Sequence, residues 1–226
     1  MATAPTLATD GDTLLNTTTP KTASVGTSAA NDVLVALRAM ENASGNLSLP
    51  TQTSGPTFTE QATNDDTSSS KCETRIATAI ATGANSNAIS MAATGGLEYG
   101  CNAMRWTGSD GVGSAGTANP TANFNATTST DNAALMVILG DWDAGDRSTV
   151  TCTIGGSSAT KSLYLRDAAA ATIVVFYLAD CGTAGTKAVS LSSWTGTWSA
   201  SWVEVKGAAG GGGGPTVKTL AALGVG

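Results

Sequence analysis

Ala133-Ala134-Leu135-Met136-Val137-Ile138-Leu139 and Thr172-Ile173-Val174-Val175-Phe176-Tyr177-Leu178-Ala179 are uninterrupted apolar runs. Both are too short for ordinary helices and both carry β-branched residues, so they read as central strands covered on both faces. Val33-Leu34-Val35-Ala36-Leu37-Arg38-Ala39, after Asn31-Asp32, is a third strong run. Thr74–Ala81 alternates instead: Thr74, Ile76, Thr78 and Ile80 share one face, with Arg75, Ala77 and Ala79 on the other. Weaker strand signals cover 57–62, 88–92, 100–106, 186–191 and 199–206, with a turn at Gly108-Ser109-Asp110-Gly111. In the last strand Val203 and Val205 face one side, and Trp202, Glu204 and Lys206 the other. No segment has a helical period, and 65–71 is charged and Ser-rich, the mark of an exposed loop tip.

Composition supports the same fold class. Of 226 residues only 12% are charged, and the polarity comes from Thr, Ser, Asn and Gly. Threonine is β-branched and fits a pleated, half-solvated surface. Roughly ten to thirteen short strands separated by turns predict an all-β protein, a two-sheet β-sandwich of jelly-roll type with a Gly-rich C-terminal tail. The sandwich is expected over residues 1–206. Residues 207–226 read as a linker, Gly210 to Gly214, followed by an apolar anchor peptide. In that peptide Val217, Leu220, Leu223 and Val225 are the candidate partner-binding residues. A flexible tether with an apolar end attaches a module to an assembly, while chemistry has no need of one.

Net charge is −6 and the eleven basic residues are scattered, which argues against nucleic acid. No stretch approaches ~18 consecutive apolar residues, so no membrane span is expected. The opening residues carry no basic-then-apolar pattern, which points to synthesis in a cytoplasm. Cys72, Cys101, Cys152 and Cys181 are far apart, form no metal pattern, and are expected as buried free thiols.

Several constellations of residues bear on chemistry. With no histidine, the usual nucleophilic triads are excluded. A glycosidase needs two carboxylates across a cleft, and Glu60, Glu98, Glu204 and the 141–146 loop are the candidates. Glu204 reads more simply as a surface residue near a partner interface. Asp141, Asp143 and Asp146 lie in a glycine-containing loop after a buried strand, the spacing of part of a calcium loop but without its downstream bidentate Glu. A solvated turn capped by its Asp side chains is the simpler alternative. Calcium is the one cofactor this loop suggests. Trp194 and Trp198 flank Thr195-Gly196-Thr197 as in a hairpin, where an exposed pair could stack a glycan ring. A cross-strand packing contact explains the same pair. Catalysis is not expected.

Four places together resemble a family of small virion proteins of tailed bacteriophages. They are Met1-Ala2-Thr3-Ala4-Pro5-Thr6-Leu7, then Asn31–Leu37 with Met40-Glu41-Asn42 and Leu49-Pro50-Thr51. Arg105–Gly113 and Ala184–Lys187, leading to Val203–Gly207 and the Gly-rich tail, complete the set. The resemblance implies a non-enzymatic sandwich on the capsid or tail surface, of capsid-decoration or minor-tail-protein type. It would be made in the host bacterial cytoplasm and carried on the virion, with the major capsid or tail protein and copies of itself as partners. A carbohydrate-binding module that contacts host surface glycans is the alternative.

Overall fold

The computed structural model of the chain describes residues 3–16, 20–41, 46–65, 72–94, 99–119, 123–142, 145–166, 171–192 and 198–209. Every regular element among them is a strand, as the composition predicts. The strands before Gly108 are β1 (Thr6–Asn16), β2 (Lys21–Thr27), β3 (Val33–Met40), β4 (Asn46–Leu47), β5 (Thr59–Asn64), β6 (Glu73–Ile80), β7 (Ser86–Met91), β8 (Ala93–Thr94) and β9 (Tyr99–Thr107). After it come β10 (Ser109–Ala118), β11 (Asn123–Thr128), β12 (Ala134–Asp141), β13 (Cys152–Ile154), β14 (Ser157–Ser158), β15 (Thr160–Arg166), β16 (Thr172–Leu178), β17 (Gly185–Leu191) and β18 (Trp198–Gly207).

Two five-stranded antiparallel sheets form the centre, ordered β1-β9-β3-β6-β5 and β10-β18-β12-β16-β15. They face each other across a core that includes Val35, Leu37, Ile76 and Trp106 from the first, and Met136, Ile138, Val175 and Val203 from the second. The sequence reading expects two sheets. The molecule adds an outer layer to each, because the central strands have a second apolar face to cover. The β2-β7 and β4-β8 pairs lie over Leu34, Ala36, Ala77 and Ala103 through Val25, Leu47, Ile89 and Met91. A sheet ordered β11-β17-β13-β14 covers Leu135, Val137, Val174, Phe176 and Trp198 with Ala126, Cys152, Ile154 and Val189. All eight residues of β3 and of β12 are accordingly buried.

Several polar side chains inside the stack find partners there. Arg38, fully buried on β3, donates to the Ser48 carbonyl and the Glu60 carboxylate. Across the central core the Thr74 and Ser201 hydroxyls lie 2.9 Å apart, and Ser201 Oγ is 3.0 Å from the Thr74 carbonyl. Asn64 at the end of β5 donates to the carbonyls of Ala118 and Ala200.

At Gly108, whose φ of 65° suits a residue without Cβ, the chain leaves the first sheet and enters the second. The sequence reading expects a four-residue turn there, but β10 begins immediately at Ser109. All four cysteines are free thiols, three of them buried.

Candidate functional site

The candidate site is the pole where the described chain begins and ends. Thr3 and Ala208 form an antiparallel bridge, each donating its amide to the other's carbonyl at 3.0 Å. The next residue, Ala209, donates its amide to the Asp110 carboxylate at 2.7 Å. The sequence beyond therefore starts from a fixed point beside the N-terminal segment.

The strand that delivers it there is anchored from beneath. The side chain of Glu204, on β18, points to the turn that precedes β12. One carboxylate oxygen accepts from the Ser114 amide at 2.7 Å and from the Ser129 hydroxyl at 2.8 Å. The other accepts from the Thr130 amide at 3.0 Å and hydroxyl at 3.1 Å, and the Ser129 amide lies 2.9 Å from both. Burial alone would raise this carboxyl. The amides of Ser114, Ser129 and Thr130 and the Ser129 hydroxyl outweigh it and hold the pKa below the usual range. The sequence reading places Glu204 at the surface near a partner. It is fully buried instead, with its oxygens committed to holding the 129–132 turn. Gly207 completes the seal, because a Cβ there would sit 2.4 Å from the Asp131 carbonyl oxygen.

Beside this pole lies a hollow of about 350 Å³ lined by Asn31, Ile80, Ser109, Asp110 and Gly111. A second of about 340 Å³ includes Thr57, Gln61, Thr78 and Val112. Ile80 belongs to both and is 47% exposed, one of two large apolar side chains left open to water among the described residues. Asp110 thus lines the hollow and holds the chain as it leaves.

The remaining candidates are distributed as follows. Val217, Leu220, Leu223 and Val225 lie outside the described residues, as do Trp194, Asp143, Glu98 and most of the 65–71 loop. Asp141 is fully buried and pairs with the Arg147 guanidinium at 3.0 Å. Asp146 is exposed and accepts from the Ser148 amide and the Tyr164 hydroxyl, both at 2.9 Å. The Ser148 amide and hydroxyl, and then the Tyr164 hydroxyl, lower its pKa to about 2. Asp141 therefore turns inward to an arginine while Asp146 caps a turn outside. Among the described residues no three His, Cys, Asp or Glu side chains gather as a metal would require. Glu60 is occupied by Arg38.

Trp198 is a correction. It is fully buried and packs edge-on against Phe124, with ring centroids 6.1 Å apart. A ring with no accessible surface has no face to offer a sugar. Trp106 is also interior, edge-on to Tyr177 at 5.7 Å.

Sequence reasoning missed the Thr3–Ala208 bridge and the role of Asp110, which depend on long-range pairing. The Glu204 clamp had a signal: Ser129-Thr130-Asp131-Asn132 before an apolar run is a turn rich in donors. No family model, curated protein or solved structure matches this chain.

Proposed function

We propose that this chain is a non-enzymatic structural protein of a bacteriophage particle, displayed on the capsid or tail surface and stabilising or decorating it. The observation that carries this reading is the shared pole. Thr3 and Ala208 are bridged there, and Ala209, the residue before the Gly-rich stretch of the sequence, donates its amide to Asp110. An attachment segment that starts at one fixed pole leaves the rest of the sandwich free for display. Val217, Leu220, Leu223 and Val225 are the proposed anchor, with the major capsid or tail protein as partner. At ~1.5–3 kcal/mol per buried side chain they supply several kcal/mol before the cost of ordering the glycines. Repetition on a symmetric lattice adds avidity.

The jelly-roll connectivity belongs to the same proposal. It is supported by the β10-β18-β12-β16 order in one sheet and the β11-β17-β13-β14 order in the sheet beneath, between which the chain alternates.

Co-sedimentation with purified particles lacking this chain tests the reading. The full chain is expected to pellet with particles, and a chain ending at Ala209, which keeps every described contact, is expected to stay in solution. Equal binding of both would move the contact onto the sandwich. Binding of neither would overturn the proposal.

A further inference from the structure

The two central sheets repeat one another strand for strand. In the first, the opening strand, the closing strand and the third strand lie side by side as β1-β9-β3; in the second the same succession is β10-β18-β12. Each sheet continues into a hairpin-linked pair, β6-β5 or β16-β15, and each outer layer pairs the second strand with the one that follows that hairpin, β2-β7 or β11-β17.

Details that topology does not require are also repeated. Val33 faces Trp106 where β3 meets β9, and Ala134 faces Val205 where β12 meets β18. In β5 the register slips between Glu60 and Ala62, opposite Ala77 and Ile76; in β15 it slips between Lys161 and Leu163, opposite Phe176 and Val175. A β-bulge is a local design feature, so the same bulge at the same place is strong evidence of common construction. Asn31 and Asn132, with φ of 70° and 55°, are the only described non-glycine residues in the left-handed region, and each stands two residues before its central strand. Asn31 donates to the Ala81 carbonyl and Asn132 to that of Gly182; Ala81 donates back to Asp32, and Cys181 to Ala133. The last-strand residue beneath this turn is Arg105 in one half, paired with Asp32 at 3.0 Å, and Glu204 in the other.

The contact between the halves has two-fold character. The end of β5 reaches β18, where Asn64 meets the Ala200 carbonyl; the matching end of β15 reaches β9, where Leu165 lies over Gly100. Likewise β5 touches β10, and β15 touches β1. A surface that meets its own equivalent in this reciprocal way is an isologous interface. The chain closes the circle. One half passes to the other covalently at Gly108-Ser109, and at the opposite junction Ala208 pairs with Thr3.

We infer that this protein is a fused dimer: two copies of one sandwich unit, residues 3–107 and 109–207, joined through the face by which two separate chains would associate. The faces have since become complementary. Trp106 in one half stands where the other has Val205, and Ala62 and Asn64 stand where the other has Leu163 and Leu165. Each unit also keeps its own second core against its outer layer. A partner therefore meets two equivalent units per polypeptide but one C-terminal tail. The inference rests on the fold and is independent of the virion reading.

Two full-length variants test it. The first exchanges the halves, with residues 109–226 followed by 1–108, so that the tail spans the Ala208–Thr3 junction. It is expected to unfold cooperatively within about 5 °C of the parent, a shift worth no more than ~2 kcal/mol. The second carries a protease site at Gly108-Ser109. Once cut and diluted it is expected to separate on size exclusion into two species that both retain strand circular dichroism. Fragments that lose strand signal on separation overturn the inference whatever the permutant does. If the permutant fails to fold while the cut halves keep their strands, the fused-dimer reading stands and only the new junction is at fault.

Discussion

Replacing Glu204 is the most informative single perturbation of the fold. Its carboxylate is fully buried and receives three backbone amides, from Ser114, Ser129 and Thr130, together with the hydroxyls of Ser129 and Thr130. Hydrogen bonds to a charged group contribute about 1.5–3 kcal/mol each, but a shared acceptor makes them far from additive. Glu204→Gln keeps the shape and turns an NH2 group toward amide donors, so at least one bond becomes a donor–donor conflict. A loss of about 2–4 kcal/mol is expected, and Glu204→Ala, which strands all the donors, should cost about 3–5 kcal/mol. Against a total stability of ~5–15 kcal/mol either change is large. Urea unfolding measures it directly, and in a chain of this size the melting temperature should fall by about 2–4 °C per kcal/mol. The pH dependence gives an independent check. Because the folded pKa lies below the unfolded value of about 4.3, this carboxylate stabilises the protein above that pH, and its contribution disappears as pH falls through the folded pKa. The parent should lose its advantage over the Gln variant on acidification. A Gln variant within about 0.5 kcal/mol of the parent at pH 7 would refute the clamp.

Glycine substitutions should separate by what their new methyl would meet. Gly140→Ala places Cβ 2.5 Å from the Cys72 Cβ between buried strands and should cost about 1–3 kcal/mol, whereas Gly100→Ala meets only the movable tips of Leu165 and Ile173 and should cost less, both by urea titration. Burial pushes the Cys152 thiol up to about 12, raises Cys72 further, and leaves Cys181 at about 11. An aromatic disulfide reagent at pH 8 should therefore label the folded protein slowly, Cys181 first, and all four thiols rapidly in denaturant. With Asp141 tied to Arg147, millimolar calcium should leave the melting temperature unchanged; a rise above about 2 °C would restore the 141–146 loop as a metal site.

The legible parts of the fold were those where apolar residues were dense. Ala134–Asp141 and Thr172–Leu178 declared themselves as central strands because both of their faces are apolar, and Val33–Met40 stood out as a strong apolar run. The β10 strand, Ser109-Asp110-Gly111-Val112-Gly113-Ser114-Ala115-Gly116-Thr117-Ala118, was invisible: its small residues give no contrast between faces, and only pairing with β18 makes it a strand. In the outer layers β7 and β17 gave weak strand signals, but β2 and β11 were lost for the same reason, since Thr22, Ser24 and Thr127 face solvent from strands with few large apolar residues. Glu204 was misread because alternation along β18 puts it on the face opposite Val203 and Val205, and sequence could not show that this face is also covered. Trp198 was misplaced by the same omission. The duplication left little trace in sequence beyond Thr27-Ser28 and Asn31 against Thr128-Ser129 and Asn132, because facing cores evolve toward complementarity rather than identity.

The most direct measurement of the proposed function is an electron-microscopic density map of phage particles that carry this chain. The account predicts a stacked-sheet density outside the shell or tail tube, with the Thr3–Ala208 pole toward the particle and connecting density running from Ala209 into a neighbouring subunit. A sandwich held by its outer sheets with that pole turned away, or particles without the chain, would contradict it.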